Sequence, residues 1–392
     1  KLIYKMIDFS LTSEQKMFVE TTNNFVEKEM MPHEEILEKT DSLPKDIANS
    51  LKIKSMELGL YACNLPENVG GGGLDAVSVM LIEKELGRTS LALAECAHRP
   101  LNILAACEGE QIKQFLDPTI RGEKRDCIAM TEPGAGSDLR SMKCSAVLKG
   151  KNWVINGEKH FISQASVSDY CVLFASTGEE KTDKGIKKRI SAFLVNFDDS
   201  GVEVLEGYKN VSHRGYSNNI LRFNNVHLPE WRIMGPEGDG FRLVNEWLGP
   251  TRLTVAATSV ARAERAFGIA LNYSASREQF GQKIGKFQGI SFPLADMATE
   301  IKIANLMLLE SAWKIDQGIV TAEDCAMTKL FCTEMLSRVA DQSLQTVGGM
   351  GLMEDLPLER IWRDARIERI WDGTSEIQRH IISRGLLRPL GS

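Results

Sequence analysis

The residues with the clearest chemical potential form a glycine-rich stretch at positions 130–138, MTEPGAGSD. Its glycines let the main chain approach a ligand closely, and the hydroxyls of Thr131 and Ser137 can hydrogen-bond a polar ring edge or a phosphate. Taken alone, the stretch is more typical of a tight structural turn. Its interpretation therefore depends on the other segments of the chain.

Four further segments carry residues suited to cofactor or substrate contact: HFIS at 160–163, REQFG at 277–281, GGMG at 348–351 and DGTSEIQR at 372–379. Together with residues 130–138, they resemble the motifs of the acyl-CoA dehydrogenase family, in the family's order and over essentially the whole chain. Any one motif is weak evidence, but five in the same order are hard to obtain by chance.

This resemblance implies a homotetramer that binds FAD between a β-domain and a C-terminal helical bundle, with a neighbouring subunit completing the cofactor site. The segments matched to the isoalloxazine contribute Met130, Thr131, Phe161 and Ser163. Ser137 matches a contact to a flavin phosphate or to the CoA thioester region.

The resemblance also assigns the adenosine diphosphate part of FAD, where an arginine can pair with pyrophosphate. The matched residues are Arg277, Gln279, Phe280, Gln345 and Gly349. Two further residues, Thr374 and Glu376, match positions near the flavin beside the catalytic base.

Asp372 stands where the family has its catalytic base, which takes the α-proton of a thioester while the flavin N5 accepts a hydride from Cβ. Most members have glutamate there, so this acid is shorter by about 1.5 Å of reach. A minority place the base at the position of Thr251, which cannot ionise usefully. Asp372 is therefore the candidate base; burial should raise its pKa and the helix beginning near Thr374 should lower it.

The substrate contacts are less specific in the sequence. Glu95 matches the far end of the family's acyl pocket, where an acid could suit a cationic acyl chain, but a solvent-exposed Glu95 is the favoured interpretation. Arg214 fits either a CoA contact or an ion pair between domains. Arg252 and Gly373, with Ser137, complete the candidate substrate contacts.

The elements that must position these residues follow from the periodicity. Residues 1–126 read as helices, with a capping box at Thr12 and Gln15, a helix start at Pro44 and a loop at the glycines of 70–73. Residues 127–237 read as strands, with a hairpin turn predicted at Asn156 and Gly157 and a solvated hairpin loop at 179–189. Residues 238–392 return to long helices over 253–273, 290–313 and 322–346.

The predicted fold class is α+β, with an N-terminal helical domain, a middle β-domain and a C-terminal helical bundle. The resemblance narrows this to an acyl-CoA dehydrogenase-like fold whose middle domain is a β-barrel or β-sandwich and whose last domain is a four-helix bundle. The order of helices, strands and helices argues against a doubly wound nucleotide fold, and the chain has no G-x-G-x-x-G and no P-loop.

Composition excludes several functions. A net charge of -6 with mixed charges argues against a nucleic-acid partner, and the scattered eight cysteines show no metal-ligand spacing. No stretch of about 18 apolar residues predicts a membrane span. A bacterial cytoplasm is the simplest location, and the sequence is also compatible with a mitochondrial matrix protein that has lost its transit peptide.

Two alternatives to dehydrogenation stay open. A flavoenzyme of the same fold could catalyse a non-oxidative elimination or desulfination on an acyl-CoA, and it would turn over without an electron acceptor. A flavin-free scaffold protein could keep the bundle, and it would be colourless when purified. If the dehydrogenase interpretation holds, the resemblance implies an electron-transfer flavoprotein as the electron acceptor.

Overall fold

The computed structural model describes residues 10–182 and 185–391, with helices at both ends of the chain and strands between them. The N-terminal helices are α1 (Ser13–Phe25), α2 (Glu34–Thr40), α3 (Lys45–Glu57), α4 (Ala76–Leu86), α5 (Leu91–Ala94) and α6 (Asp117–Ile120). The predicted capping box is present, because the Gln15 N–H donates to Thr12 Oγ1 at 3.1 Å and the Gln15 side chain accepts from the Thr12 N–H.

The glycine-rich segment at 70–73 forms a loop before α4, as predicted. It folds back on the chain that precedes it, so that a Cβ at Gly71 would lie 2.3 Å from the Leu65 carbonyl oxygen. The close approach explains why a side chain is not tolerated there.

The strands are β1 (Asp126–Ala129), β2 (Ser145–Lys149), β3 (Asn152–Ser163), β4 (Tyr170–Thr182), β5 (Gly185–Asn196), β6 (Val202–Glu206), β7 (Asn218–Pro229) and β8 (Ile233–Met234). They form one sheet in the order β6-β7-β3-β2-β4-β5-β8, and β1 pairs in parallel with β4. One face buries a core drawn from the sheet itself, including Trp153, Leu173 and Phe223. The sheet is therefore curled around its own side chains, rather than split into two sheets of a sandwich.

The hairpin predicted at Asn156 and Gly157 is wrong. β3 runs through both residues, and its two halves pair with the same antiparallel partner, β7. The register shifts between Ile155 and Gly157, so the two residues form a β-bulge. Glycine is required because its φ is +147° and a Cβ would lie 2.6 Å from the Cys144 Cα atom.

The loop predicted at 179–189 is a long two-stranded hairpin instead. Glu179, Glu180 and Lys181 on β4 pair with Lys188, Lys187 and Ile186 on β5. Opposite charges face each other across the ladder, as in the ion pair between Glu180 and Lys187, which explains how a charged segment forms strands. Residues 183 and 184 of the predicted loop lie outside the described residues.

The C-terminal helices are α7 (Gly240–Ser276), α8 (Gln288–Asp316), α9 (Ala322–Val347), α10 (Leu358–Glu368) and α11 (Ser375–Leu387), with the short strands β9 (Glu278–Gln279) and β10 (Gln282–Lys283) after α7. The three predicted long helices are present, and their apolar faces form the largest described core together with α4 and α10. In the part of the chain that the structure describes, no helix has the length and apolarity needed to cross a bilayer.

Buried ion pairs join the helical regions. Glu34, the first residue of α2, is 4% exposed and forms ion pairs with Arg265 of α7 at 2.7 Å and with Arg360 of α10 at 2.6 Å. Arg214 of the β-domain pairs with Asp41 at 3.3 Å, which supports the interpretation of Arg214 as a domain-interface ion pair.

Candidate active site

Asp372 lies in the short connection between α10 and α11, where the chain reverses direction. Its φ of +51° and the +89° of Gly373 are left-handed, an arrangement that costs energy for the non-glycine residue. Thr374 then caps α11, because its Oγ1 accepts the Ile377 N–H at 3.2 Å. The turn thus presents the Asp372 side chain at the start of a helix.

The surroundings of Asp372 favour its neutral form. Burial raises the pKa of Asp372 to about 6, the charge of Glu368 adds to the rise, and the cations Lys329 and Arg252 oppose it. A carboxyl group with a pKa near neutrality can both hold and release a proton at physiological pH. Burial, one of the two opposing effects predicted from the sequence, is the main cause of this rise.

Arg252, a candidate substrate contact, lies on α7 within electrostatic reach of Asp372. It is 8% exposed, burial lowers its pKa, and the charge of Asp372 opposes that change. No described residue accepts a hydrogen bond from its Nε atom. A buried guanidinium with a free donor beside the carboxylate can bind an anionic or carbonyl oxygen.

Two side chains fix the backbone of the base-bearing turn. Lys329 of α9, fully buried, donates from Nζ to the carbonyl oxygens of Trp371 at 2.6 Å and Gly373 at 2.7 Å. Gln378 of α11 donates from Nε2 to the carbonyls of Gly373 at 2.7 Å and Asp372 at 3.3 Å. Buried side-chain donors therefore fix the backbone carbonyls of Trp371 and Gly373, the residues on both sides of Asp372.

A buried charge network lies against the preceding residue, Trp371. Glu368 accepts hydrogen bonds from Arg262, from His213 at 3.1 Å and from the Trp371 indole N–H at 2.7 Å. The His213 ring stacks on Trp371 with a centroid distance of 5.1 Å. Although burial opposes it, the Asp364 and Glu368 carboxylates raise the pKa of His213, so the network is a cluster of compensated charges.

Tyr216 lies close to three of the predicted site residues, namely Ser163, Glu95 and Asp372. Burial raises the pKa of Tyr216, the charges of Glu95 and Asp372 raise it further, and a hydrogen bond with Ser163 opposes them. Tyr216 is therefore within electrostatic reach of both carboxylates, and it joins the predicted flavin-contact segment to the base.

The favoured interpretation of Glu95 as solvent-exposed is wrong. Its side chain is 23% exposed and pairs with Arg125 at 3.1 Å and with Arg99 at 3.8 Å. Against the cost of burial, His98 and these two arginines lower the pKa of Glu95 to about 2. The protein itself therefore compensates the charge of Glu95, through Arg99 four residues later and Arg125 thirty residues later.

The segments matched to the isoalloxazine lie side by side. Lys159 of β3 is fully buried and donates to the Met130 carbonyl at 2.8 Å, and the His160 N–H donates to the Thr131 carbonyl at 2.8 Å. Phe161, the next residue, has a left-handed φ of +57° and is 57% exposed. The bent end of β3 thus presents an apolar ring beside Met130 and Thr131.

Three of the residues matched to the adenosine diphosphate part line one cavity of about 610 Å³. They are Arg277, Gln279 and Gly349, and the wall also includes Tyr273 and Met350. The neighbouring Phe280 side chain is 93% exposed in the single chain, which is unusual for a large apolar ring. Gln345 is exposed on the last turn of α9.

The predicted residues thus form three groups: Met130, Thr131 and Phe161 at the end of β3, Asp372 with Arg252 and Gly373, and the residues of the Arg277 cavity. Ser137 is exposed on the loop that follows Gly136, and Glu376 is exposed on the first turn of α11, where its own backbone N–H and then the Thr374 side chain lower its pKa. For the Met130 and Arg277 groups, the residues fit FAD: one offers an apolar ring and backbone edges, and the other offers an open arginine cavity.

Family models match almost the whole chain. They describe the N-terminal, middle and C-terminal domains of acyl-CoA dehydrogenase and match residues 12–123, 127–226 and 238–387. The chain belongs to the acyl-CoA dehydrogenase family. It is 36% identical to a probable acyl-CoA dehydrogenase, YngJ, of Bacillus subtilis over 97% of this chain and 100% of that protein. It is 34% identical to the human mitochondrial short-chain specific acyl-CoA dehydrogenase over 98% of this chain and 92% of that protein.

Solved structures agree with the family. Butyryl-CoA dehydrogenase from Megasphaera elsdenii superposes with a TM-score of 0.88 at 30% identity, over 97% of this chain and all of that chain. An acyl-CoA dehydrogenase from Bacillus anthracis complexed with FAD gives 0.87 at 30% identity, over 97% and 68%. A chain in a structure described as the electron transferring flavoprotein of Acidaminococcus fermentans gives 0.85 at 31% identity, over 97% and 100%. Acyl-CoA dehydrogenases are FAD-dependent oxidoreductases, and this enzyme is one of them.

Several residues around Asp372 escaped the sequence analysis: Lys329, Gln378, Tyr216, His213, Arg262 and Glu368. Only Lys329 carried a usable signal, since a lysine three residues before Cys332 and four after Cys325 interrupts an apolar helix face. Gln378 and Glu368 lie within six residues of Asp372 but match no site position of the motif, whereas Tyr216, His213 and Arg262 come from distant segments, which no local pattern records.

Proposed function

We propose that the protein catalyses the α,β-dehydrogenation of a short acyl-CoA thioester, with Asp372 as the base that takes the α-proton. The observation that carries this proposal is the half-buried Asp372 carboxyl group, whose pKa is raised to about 6 mainly by its burial, on a turn that Lys329 holds by two hydrogen bonds. FAD, when bound, supplies the hydride acceptor. The chain itself must bind the thioester, orient its α-carbon and hold the proton at the Asp372 carboxyl.

The alternative base position is not available. Thr251 of α7 donates its hydroxyl to the Trp247 carbonyl at 2.9 Å, so its polar group is used inside the helix. Asp372 is shorter than the family's usual glutamate, and we propose that the substrate α-carbon lies correspondingly nearer to it. We also propose that the Asp372 N–H polarises the thioester carbonyl, as the resemblance implies for a backbone N–H near the base.

The substrate proposal rests on the compensated charge of Glu95. Because Arg99 and Arg125 already pair with it, Glu95 offers no free charge to a cationic acyl chain. Tyr216 lies within electrostatic reach of both Glu95 and Asp372, and we propose that its ring limits the acyl pocket to a short chain. The similarity to a human short-chain specific acyl-CoA dehydrogenase and to a butyryl-CoA dehydrogenase supports the same class.

We also propose a homotetramer whose neighbouring subunit covers the Arg277 cavity and completes the FAD site. The support is the exposed Phe280 and the half-exposed Met350 and Met353 around that cavity. An electron-transfer flavoprotein is the proposed acceptor, in keeping with the similarity to a chain in the structure from Acidaminococcus fermentans.

Anaerobic titration of the purified yellow protein with acyl-CoAs tests the function. We expect short straight-chain thioesters to bleach the flavin absorbance at stoichiometric amounts, and cationic thioesters of the same length to leave it unchanged. Reoxidation by an electron-transfer flavoprotein should then restore the colour. Bound flavin that no thioester reduces would contradict dehydrogenation, while turnover without any acceptor would indicate a non-oxidative reaction on the same fold.

The pH dependence of this reaction follows from the raised pKa of Asp372. The base must be ionised, so kcat/KM should rise with pH through about 6 and level off above about pH 7. At pH 5 only about a tenth of the Asp372 carboxyls are charged, so we expect about a tenfold loss of rate. Steady-state rates between pH 5 and 8 measure the profile. A rate that is flat down to pH 5 would show that Asp372 titrates in its ordinary range.

A further inference from the structure

Lys329 is placed where packing alone would favour an apolar side chain. It is fully buried on the face of α9 that also buries Cys325, Cys332 and Leu336. Removing an ammonium group from water costs several kcal/mol unless the protein compensates for it. The compensation here comes from two carbonyl oxygens, those of Trp371 and Gly373, on either side of Asp372.

These two hydrogen bonds set the direction of the intervening peptide groups. The described peptide bonds are all trans, so the N–H and C=O of one peptide group point in opposite directions. Because the Trp371 carbonyl points at Lys329, the Asp372 N–H points away from it. Among the described residues, none accepts a hydrogen bond from that N–H.

We infer that Lys329 is a positioning residue that aims the free Asp372 N–H, together with the Asp372 carboxyl, at the substrate thioester. The inference rests on the proposed function, because it needs a thioester held beside Asp372. In this role Lys329 touches no reacting atom. It acts through its two hydrogen bonds to the left-handed turn that carries Asp372.

The turn needs such a holder because its conformation is strained. Asp372 has a φ of +51°, and a side chain with a Cβ pays for this region of backbone space. Gln378 shares the task, since its Nε2 donates to the Gly373 and Asp372 carbonyls. Lys329 alone, however, contacts the Trp371 carbonyl, which belongs to the same peptide group as the Asp372 N–H.

The alternative is a purely structural role, in which Lys329 only supplies hydrogen bonds to the carbonyl groups that follow the end of α10. The two roles differ in what they do to a bound thioester. A purely structural lysine affects stability and leaves the polarisation of the thioester carbonyl unchanged. A positioning lysine changes that polarisation even when the fold is intact.

The test uses the FAD-bound enzyme with an enoyl-CoA product labelled with carbon-13 at the thioester carbonyl. Difference infrared spectroscopy reads the carbonyl stretch, which moves to lower frequency when the Asp372 N–H donates to it. We expect a downshift in the wild-type complex and loss of most of it in Lys329→Met. We also expect kcat to fall by about 10- to 100-fold in this variant with a much smaller change in product affinity, since an aimed backbone donor acts mainly in the transition state.

Thr328→Val is the matched control, because Thr328 is buried on the same turn of α9 and its hydroxyl pairs with Ser311 at 2.8 Å. It should lower stability and keep the wild-type carbonyl frequency. If Lys329→Met does not fold, Lys329→Gln replaces it, and its shorter amide should give a partial loss of the downshift. A folded Lys329 variant with the wild-type frequency would overturn the inference.

The outcome is separable from that of the proposed base. Asp372→Asn retains the backbone N–H, so it should keep the carbonyl downshift while it loses turnover. If Asp372→Asn stayed active, the base assignment would fail, yet the infrared comparison of wild type with Lys329→Met would still decide the role of Lys329. If no thioester bound at all, the proposed function and this inference would both fail.

Discussion

Asp372→Asn should abolish dehydrogenation while leaving a folded, yellow protein. The substitution removes the carboxylate that takes the α-proton and keeps nearly the same shape, so we expect kcat to fall by about 10²- to 10⁴-fold. The left-handed backbone tolerates asparagine better than most residues, so the turn between α10 and α11 should persist. Single-turnover reduction of the bound flavin by a short acyl-CoA measures the loss directly.

Asp372→Glu is the control for this prediction. It restores the longer acid that most of the family carries and keeps a base at the same position, so turnover should stay within about tenfold of wild type. We expect the preferred acyl group to change, because the α-carbon then has to lie farther from the backbone. Near wild-type flavin reduction by Asp372→Asn, with FAD bound, would rule out Asp372 as the base.

The parts of the fold that the sequence predicted are those that local chemistry decides. The capping box at Thr12 and the long helices α7, α8 and α9 follow from cap residues and 3.6-residue periodicity, and both are present. The Asn156-Gly157 pair was misread because the same dipeptide suits a hairpin turn and a β-bulge. Which one forms depends on the strand that pairs with it, here β7, more than sixty residues later in the chain.

The site was predictable only in part, for a related reason. Asp372 and the cofactor segments lie in motifs whose order reveals them, but the groups that set the properties of Asp372 do not. Lys329 lies 42 residues before the Trp371 carbonyl it binds, and His213 lies 155 residues before Glu368. Glu95 was misassigned for the same reason, since its exposure depends on Arg125, 30 residues away. Such contacts depend on packing between distant elements.

The second large effect is expected at the buried network beneath Trp371. Glu368→Met should lower the free energy of unfolding by about 3–5 kcal/mol, because it leaves the buried Arg262 without its carboxylate partner. It also removes the acceptor of the Trp371 indole N–H, so the residue before the base should become mobile and turnover should fall. Chemical denaturation and flavin-reduction rates measure the two effects.

Asp341→Leu provides a matched control for Glu368→Met, because it likewise removes the acceptor of an indole N–H. Asp341 also accepts an indole N–H, that of Trp362 at 3.0 Å, but at an exposed position. Because water can replace the contact there, we expect the free energy of unfolding to change by less than about 0.5 kcal/mol. The comparison isolates the effect of burial from that of a tryptophan hydrogen bond.

The double variant Arg262→Met with Glu368→Met tests whether the lost stability comes from the unpaired charge of Arg262. If the cost of Glu368→Met is the uncompensated charge of Arg262, removing that charge as well should recover part of the lost stability. His213 then keeps Asp364 as its ion-pair partner at 3.4 Å. A double variant less stable than Glu368→Met alone would show instead that Arg262 stabilises the protein through packing. The charge network would then hold Trp371, and through it Asp372, by shape rather than by electrostatics.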